Sequence, residues 1–440
     1  MLPRPAPRVL IVEFFSRGGL IHYSLQLARA LATQALPGTE IIVLTSRHSE
    51  AAAPAGVRLR TDLATWNPHR PLRFWPRRLV RAARGIIYVR AWWQILRTVR
   101  RLRPRLVLLT DLEHRCDAWF VPRLRRVCHE LEPAAALADI WHNVEPFDRY
   151  HSGQLLRRLR WRAPMARQFD TIFVHGRTLA HQFTTLTGCQ PCVIPHGNQN
   201  WMAEQAGPDP HLNERFRLPA ERPLALLFGA LSSYKGVDVL LAAMAALPSA
   251  RRPLLLIAGM PTADTELGKW QRQATKDGLD AWVRWDPRYV PMPEVAWYFR
   301  RADWVVLPYR VASQSGIGHI ALTFGKPLLV TASGGLPELI DGNGLIVPPD
   351  DTAALAVALA RFTGEPDSRR RWALRSAELA GQRHGWLPIA RAVLKAAAGD
   401  LLAPDPQLTT KAGAEPQNPG AGAGIPEQER TPAGAPAPSL

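Results

Sequence analysis

The sequence predicts an α/β protein: two doubly wound, Rossmann-like domains facing each other across a cleft. Three observations carry the prediction. Short apolar runs such as residues 8–14 and 224–228 are bounded by charge, proline or glycine, as parallel strands covered on both faces should be. These runs alternate with segments of helical apolar spacing in both halves of the chain, the pattern of repeated βαβ units. Several strands run straight into turns of glycine and serine, at the carboxyl edge where open α/β sheets take their ligands.

A chain of 440 residues exceeds one ordinary core and suits two domains of about 150 to 200 residues each. The expected organisation is a first domain over 1–200, a second over 201–383, a helical segment over 384–402 and a tail over 403–440, with the polar, proline-containing stretch 198–223 as the connection. The tail is rich in Pro, Ala, Gly and Gln, cannot fill a core and is expected to be disordered.

The formal net charge is +18 and is carried mostly by arginine. Between Leu63 and Thr110 there is no Asp or Glu, while arginines recur throughout residues 70–105. Such a block attracts polyanions. Nucleic acid is not the expected partner, because the block lacks interleaved aromatics and a recognisable binding module. The N-terminal stretch lacks the apolar run and cleavage site of a signal peptide, and no stretch approaches the roughly 18 apolar residues of a membrane span. The expected location is cytoplasmic, peripheral at the inner face of the cell membrane. Cys189-Gln190-Pro191-Cys192 has no second CxxC or spaced His pair to complete a zinc site, and neither a metal nor another cofactor is expected.

In chain order, the strand over 8–14 leads through Ser16-Arg17-Gly18-Gly19 into a helix, IHYSLQLARALATQ. This opens a βαβ unit, but without a full GxGxxG it does not imply dinucleotide binding. Residues 40–45 form the next strand. From 77 to 103, apolar residues at 79, 82, 86, 89, 93 and 96 keep helical spacing, with arginines off that line and Trp92-Trp93 near the middle. The pattern suits either a helix packed on the sheet with a solvated arginine face or one lying on an anionic bilayer. The absence of acids and the paired tryptophans favour the bilayer, and a second basic cluster over 157–162, with Trp161, points the same way. Strands follow at 106–110 and 135–141. The latter ends at His142-Asn143, which makes His142 a candidate to touch substrate. TIFVHGRTLAHQF and CVIPHG complete the first half.

A second series starts with a strand over 224–228, a turn over 229–236 and a helix over 237–247; further strands fall at 253–257, 282–285, 304–307, 328–330 and 345–347. Lys235, in a strand-exit loop with two serines and a glycine, is placed to reach a phosphate. The strand at 304–307 runs into a Ser/Gly turn and a helix of small residues. The amides of Ser315, Gly316 and Ile317 then fall at the helix's first turn, where unpaired N–H groups and the positive dipole end favour an anion. The plainer reading is that Ser315 only caps the helix.

Together these stretches resemble the GT-B glycosyltransferases, specifically the large retaining family 4. The resemblance is carried by FGALSSYKGVDVLLAA, AGM, SQSG, FGKPLLVTASGGLPELI and GNGLIVPPDDTAALA, in that order. It implies a retaining transferase that moves a sugar from a nucleotide diphosphate donor, held by the second domain, to a lipid-linked or polysaccharide acceptor on the first. The segment over 384–402 is then a helix returning to the first domain. By the same resemblance His142 and Lys235 are catalytic, His142 beside the reacting sugar and Lys235 on the diphosphate. Gly18 and Gly19 face the diphosphate, and Ser233, Gln314, Ser315, Gly316 and Ile317 complete the donor site. The sequence departs from the family pattern at three positions: Ala230 replaces an arginine, and Ala312 and Ile320 replace two glutamates that hold sugar and ribose hydroxyls. Same-face transfer, in which the leaving phosphate takes the acceptor proton, survives these losses, and Gln314 or Ser313 is placed to take over a hydroxyl. The alternative is a catalytically impaired relative that binds an anionic glycan or a membrane surface.

Overall fold

The structure is a computed structural model that describes residues 6–66, 76–110, 112, 114–143, 161–208 and 211–404. The expected tail beyond residue 404 and most of the second basic cluster lie outside the described residues. The first sheet contains β1 (Arg8–Val12), β2 (Glu40–Ser46), β3 (Val57–Leu63), β4 (Leu106–Thr110), β5 (Ala136–Trp141), β6 (Thr171–His175) and β7 (Cys192–Ile194). Its seven strands are parallel and ordered β3-β2-β1-β4-β5-β6-β7. The second sheet contains β8 (Leu224–Phe228), β9 (Leu254–Ala258), β10 (Val283–Asp286), β11 (Trp304–Leu307), β12 (Leu328–Thr331) and β13 (Gly344–Val347). Its six strands are also parallel, in the order β10-β9-β8-β11-β12-β13. Strand order therefore reverses between β1 and β4 in one sheet and between β8 and β11 in the other, and such reversals open a crevice at the carboxyl edge.

The alternation of side chains along each strand builds both faces. Leu10 and Val12 pack with Trp92, Ile95 and Phe120 on one side of the first sheet; Val9 and Ile11 pack with Leu27 and Leu31 on the other. The helix Trp386–Ala397 joins that second group through Ile389, Ala390, Val393 and Leu394, so the last described α-helix returns to the first sheet. In the second sheet Leu226 and Phe228 face one core, Ala225 and Leu227 the other.

Three details differ from expectation. β3 was not anticipated, because an edge strand of sequence VRLRTDL buries only its two ends and shows no clean apolar alternation. The helix Arg77–Leu102 does pack on the first sheet, but through Ala91, Trp92, Ile95, Leu96 and Val99. Most of its periodic apolar line is left in solvent instead, with Leu79 53%, Ile86 70%, Val89 38% and Trp93 43% exposed. Trp92 and Trp93 thus part company: one ring stacks on Phe120 in the core, 5.3 Å between centroids, and the other lies on the surface. Arg162 is buried and donates to the carbonyls of Asn143 and Leu112, so it is not a surface cation.

Candidate active site

The carboxyl edges of the two sheets meet around a cavity of about 470 Å³ lined by Gly18, Gly19, His142, Lys235, Gln314, Gly316 and Ile317 among others. Lys235 is the only charged side chain on that lining among the described residues. It ends a short 3-10 turn, Ser233–Lys235, closed by Gly236 at φ 65°, where a Cβ would stand 2.1 Å from the Pro308 carbonyl. The ammonium is buried and donates to Phe228 O at 2.9 Å and Tyr309 Oη at 3.1 Å, which leaves one of its three N–H bonds for a ligand. Gly229, at φ 101°, makes room for it, since a Cβ there would lie 3.0 Å from Nζ. Burial lowers the lysine's pKa, and an anion beside it would favour the charged form.

The helix Gly316–Thr323 is capped by Ser315, whose Oγ accepts the Gly318 N–H at 3.2 Å. The hydroxyl is therefore spent on the cap, but the N–H groups of Gly316 and Ile317 have no partner among the described residues. Both residues line the same cavity as Lys235. Ser233 is a correction: it does not line the cavity, and its N–H and Oγ bind Asp264 Oδ2 at 3.0 and 2.7 Å. Ser232 joins them at 2.5 Å. Burial works against the charged carboxyl of Asp264, but these hydroxyls and that of Thr262 hold its pKa well below the usual range.

Across the cleft the Gly18 N–H is already engaged by Glu50 Oε1 at 2.7 Å. Glu50 also meets His22 Nε2 at 3.3 Å and accepts the Tyr289 hydroxyl at 2.6 Å, a bond from the second domain to the first. Burial would raise its pKa, yet these partners hold it at about 2. The Gly18-Gly19 turn lines the cavity, with the Gly18 amide held by a resident carboxylate.

His142 lies at the end of β5, 3% exposed, with the Tyr23 ring set edge-on at 4.6 Å. Around it gather His175 from β6, His196 just after β7, and His319, which stacks on His196 at 4.4 Å. His384 closes the row at 4.7 Å from His319. Burial pushes His142 down to about 3 and His196 to about 4, and it lowers His175, His319 and His384 as well, so the group is neutral near pH 7. Sequence reading found only His142. The available signal was that His175 and His196 also sit at strand exits.

Ala312 and Ile320 are packed in the second core, and no carboxylate lines the 470 Å³ cavity among the described residues. Ser313 is buried, with its carbonyl taken by the Gly335 N–H at 3.0 Å, and it is not on the lining. Gln314 is, and its Oε1 is buried without a partner.

Two parallel, doubly wound sheets with a cleft at their paired switch points define the GT-B class of α/β proteins. Sucrose-phosphate synthase from Thermosynechococcus elongatus aligns with a TM-score of 0.66 at 20% identity, covering 87% of this chain and 96% of that one. Anabaena Alr3699/HepE in complex with UDP-glucose aligns with a TM-score of 0.62 at 16% identity, covering 88% and 98%. Residues 222–364, about a third of the chain, match the family described as glycosyl transferases group 1. The D-inositol 3-phosphate glycosyltransferase of Xylanimonas cellulosilytica is 34% identical over 187 residues, 42% of this chain and 44% of the relative, so the match spans less than half of that protein's length.

Proposed function

We propose that this protein is a retaining glycosyltransferase that moves a sugar from a nucleotide diphosphate donor to a lipid-linked or polysaccharide acceptor at an anionic, cytosolic membrane face. The observation that carries this reading is the convergence of the Lys235 ammonium and the unpartnered Gly316 and Ile317 amides on one cavity at the two switch points. As the bond from sugar to phosphate breaks, negative charge grows on the departing diphosphate, and donors already in place stabilise it without reorganising. Among the described residues no carboxylate lines the cavity, and the proton of the attacking hydroxyl passes to the leaving phosphate itself. His142, held neutral, orients a sugar hydroxyl through its unpartnered Nε2. A relative named for glycosyl transfer and a neighbour in complex with UDP-glucose support a nucleotide-sugar donor.

The membrane part of the proposal rests on the helix Arg77–Leu102. Its exposed Leu79, Ile86, Val89 and Trp93 form one stripe beside the exposed Arg78, Arg81, Arg84 and Arg90, and a basic helix with an uncovered apolar stripe suits an anionic interface. The transferase reading is tested by following nucleoside diphosphate release from UDP-, GDP- and ADP-linked sugars with anionic vesicles present. Turnover with one base is expected; a folded protein that releases nothing from any of them would contradict it.

A further inference from the structure

The turn that presents Lys235 is gripped by three successive residues at the exit of β11. Pro308 O presses on Gly236, at a distance that no Cβ would tolerate. Tyr309 Oη accepts from the Lys235 ammonium at 3.1 Å. Arg310 holds the remainder of the turn: its N–H donates to Tyr234 O at 2.8 Å and its Nη1 to Ser233 O at 2.9 Å. The other edges of the guanidinium are engaged as well, Nε by Asp350 Oδ1 at 2.7 Å and Nη2 by Asp238 Oδ2 at 2.8 Å. Asp238 lies in the first turn of the helix Val237–Ala245, and Asp350 in the loop after β13, where its φ of 58° is a left-handed backbone that side-chain-bearing residues adopt rarely. The Arg310 carbonyl accepts the Ser333 hydroxyl at 3.1 Å, which ties in the exit of β12. One planar fork and its own peptide groups thus fix five segments of the second domain in a common frame.

We infer that Arg310 is a positioning residue, which sets the Lys235 ammonium against the Gly316 and Ile317 amides so that one diphosphate meets both. The inference rests on the transferase reading above, in which the cavity holds a diphosphate, and adds a residue that is not on the cavity wall. The chain runs from Arg310 directly to the Ser315 cap and the two amides, so the same segment carries one half of the anion site and grips the other. The halves converge at Gly229, where a Cβ would lie 3.0 Å from Lys235 Nζ and 3.2 Å from Ile317 Cδ1. Arg310 also engages the carboxylates of Asp238 and Asp350, while Lys235 donates to the neutral oxygens of Phe228 and Tyr309. The lysine's charge therefore stays directed at a ligand rather than at a neighbouring acid.

The test is a double-mutant cycle on the full chain, read as affinity for whichever of UDP, GDP and ADP the wild type binds. Arg310→Gln should weaken that diphosphate by about ten-fold in the wild-type background but by less than about two-fold in Lys235→Ala, where the group it aligns is gone. An arginine that served only the architecture would cost the same factor in both backgrounds, and that additivity overturns the inference. Asp350→Gly accepts the φ of 58° without strain and removes one anchor of the guanidinium. Loss of a negative charge would by attraction alone tighten the diphosphate, whereas a loosened Arg310 should weaken it by about three-fold. Unchanged or tighter binding in Asp350→Gly overturns the inference, and this variant decides the matter if Arg310→Gln fails to fold. Wild-type affinity in both variants leaves the transferase reading standing without Arg310. A folded wild type that binds none of the three diphosphates, or a Lys235→Ala protein that binds as tightly as wild type, removes the diphosphate site itself, and the inference with it.

Discussion

In the turn after β1 the Gly18 N–H is taken by Glu50 at 2.7 Å, whereas at the start of the helix Gly316–Thr323 two N–H groups, on the cavity that a buried lysine also lines, have no partner among the described residues. Both are glycine-bearing turns at a strand exit, both line one cavity, and in sequence they look alike. The difference lies in a residue 32 positions from Gly18, whose carboxylate also accepts the Tyr289 hydroxyl from the other domain. On the first domain the amide at the helix cap is tied across the cleft; on the second domain the cap is made by the Ser315 hydroxyl, and no such tie is formed among the described residues. The contrast extends to the outer surface, where the first domain carries the arginine-rich helix with its uncovered apolar stripe.

That contrast can be broken in several places. The largest effect is expected at the surface, where each arginine near an anionic bilayer contributes about 1 kcal/mol. Replacing Arg78, Arg81, Arg84 and Arg90 together by Gln should release the protein from anionic vesicles at low salt. Wild-type protein that fails to co-sediment with such vesicles removes the membrane assignment. Within the cleft, Lys235→Ala deletes a charge-assisted contact of about 1.5 to 3 kcal/mol, so kcat/KM for donor should fall by about ten- to a hundred-fold. Unchanged kinetics in a folded variant would place the diphosphate elsewhere.

A pH series separates His142 from its background. Its folded pKa of about 3 lies below the 6.5 of an unperturbed ring, so the unfolded chain takes up its proton first and the wild type loses stability as pH falls from 6.5 toward 3. His142→Gln lacks this loss. Its stability relative to wild type should rise by up to about 1.4 kcal/mol per pH unit over that window, and a flat difference in denaturant melts would mean the ring is not held neutral. The smallest effect is expected at Glu50. Glu50→Gln keeps an acceptor for Gly18 but removes a negative charge facing the anion site, so nucleoside diphosphate should bind about two- to five-fold more tightly, equivalent to roughly 0.5 to 1 kcal/mol. Weaker binding would show that the carboxylate organises the donor site.

The parts legible in the sequence are those built from contiguous residues. Apolar runs gave the parallel strands, and strand, Ser315 and helix gave the anion cradle, because a helix start is defined within four residues. The position of Lys235 was legible, but its anchoring by Phe228 O and Tyr309 was not, since Tyr309 is 74 residues away. Ser233 was misplaced for a related reason: nothing local shows that Asp264, 31 residues on, claims its hydroxyl. The histidine group was invisible as a group, because its members come from separate strand exits, the helix Gly316–Thr323 and the segment before the last helix. On the helix Arg77–Leu102, periodicity drew an apolar line correctly but could not say that the sheet would take the neighbouring one, with Trp92 at its centre.

The central claim is that the cavity binds a diphosphate through Lys235 and the amides of Gly316 and Ile317. Titration calorimetry with UDP, GDP and ADP, each beside its unphosphorylated nucleoside, tests it most directly. One diphosphate should bind while its nucleoside does not, and at a hundred times its dissociation constant it should stabilise the fold by about 2.7 kcal/mol. Equal affinity for nucleoside and diphosphate, or no binding of any diphosphate to the folded protein, would contradict the account.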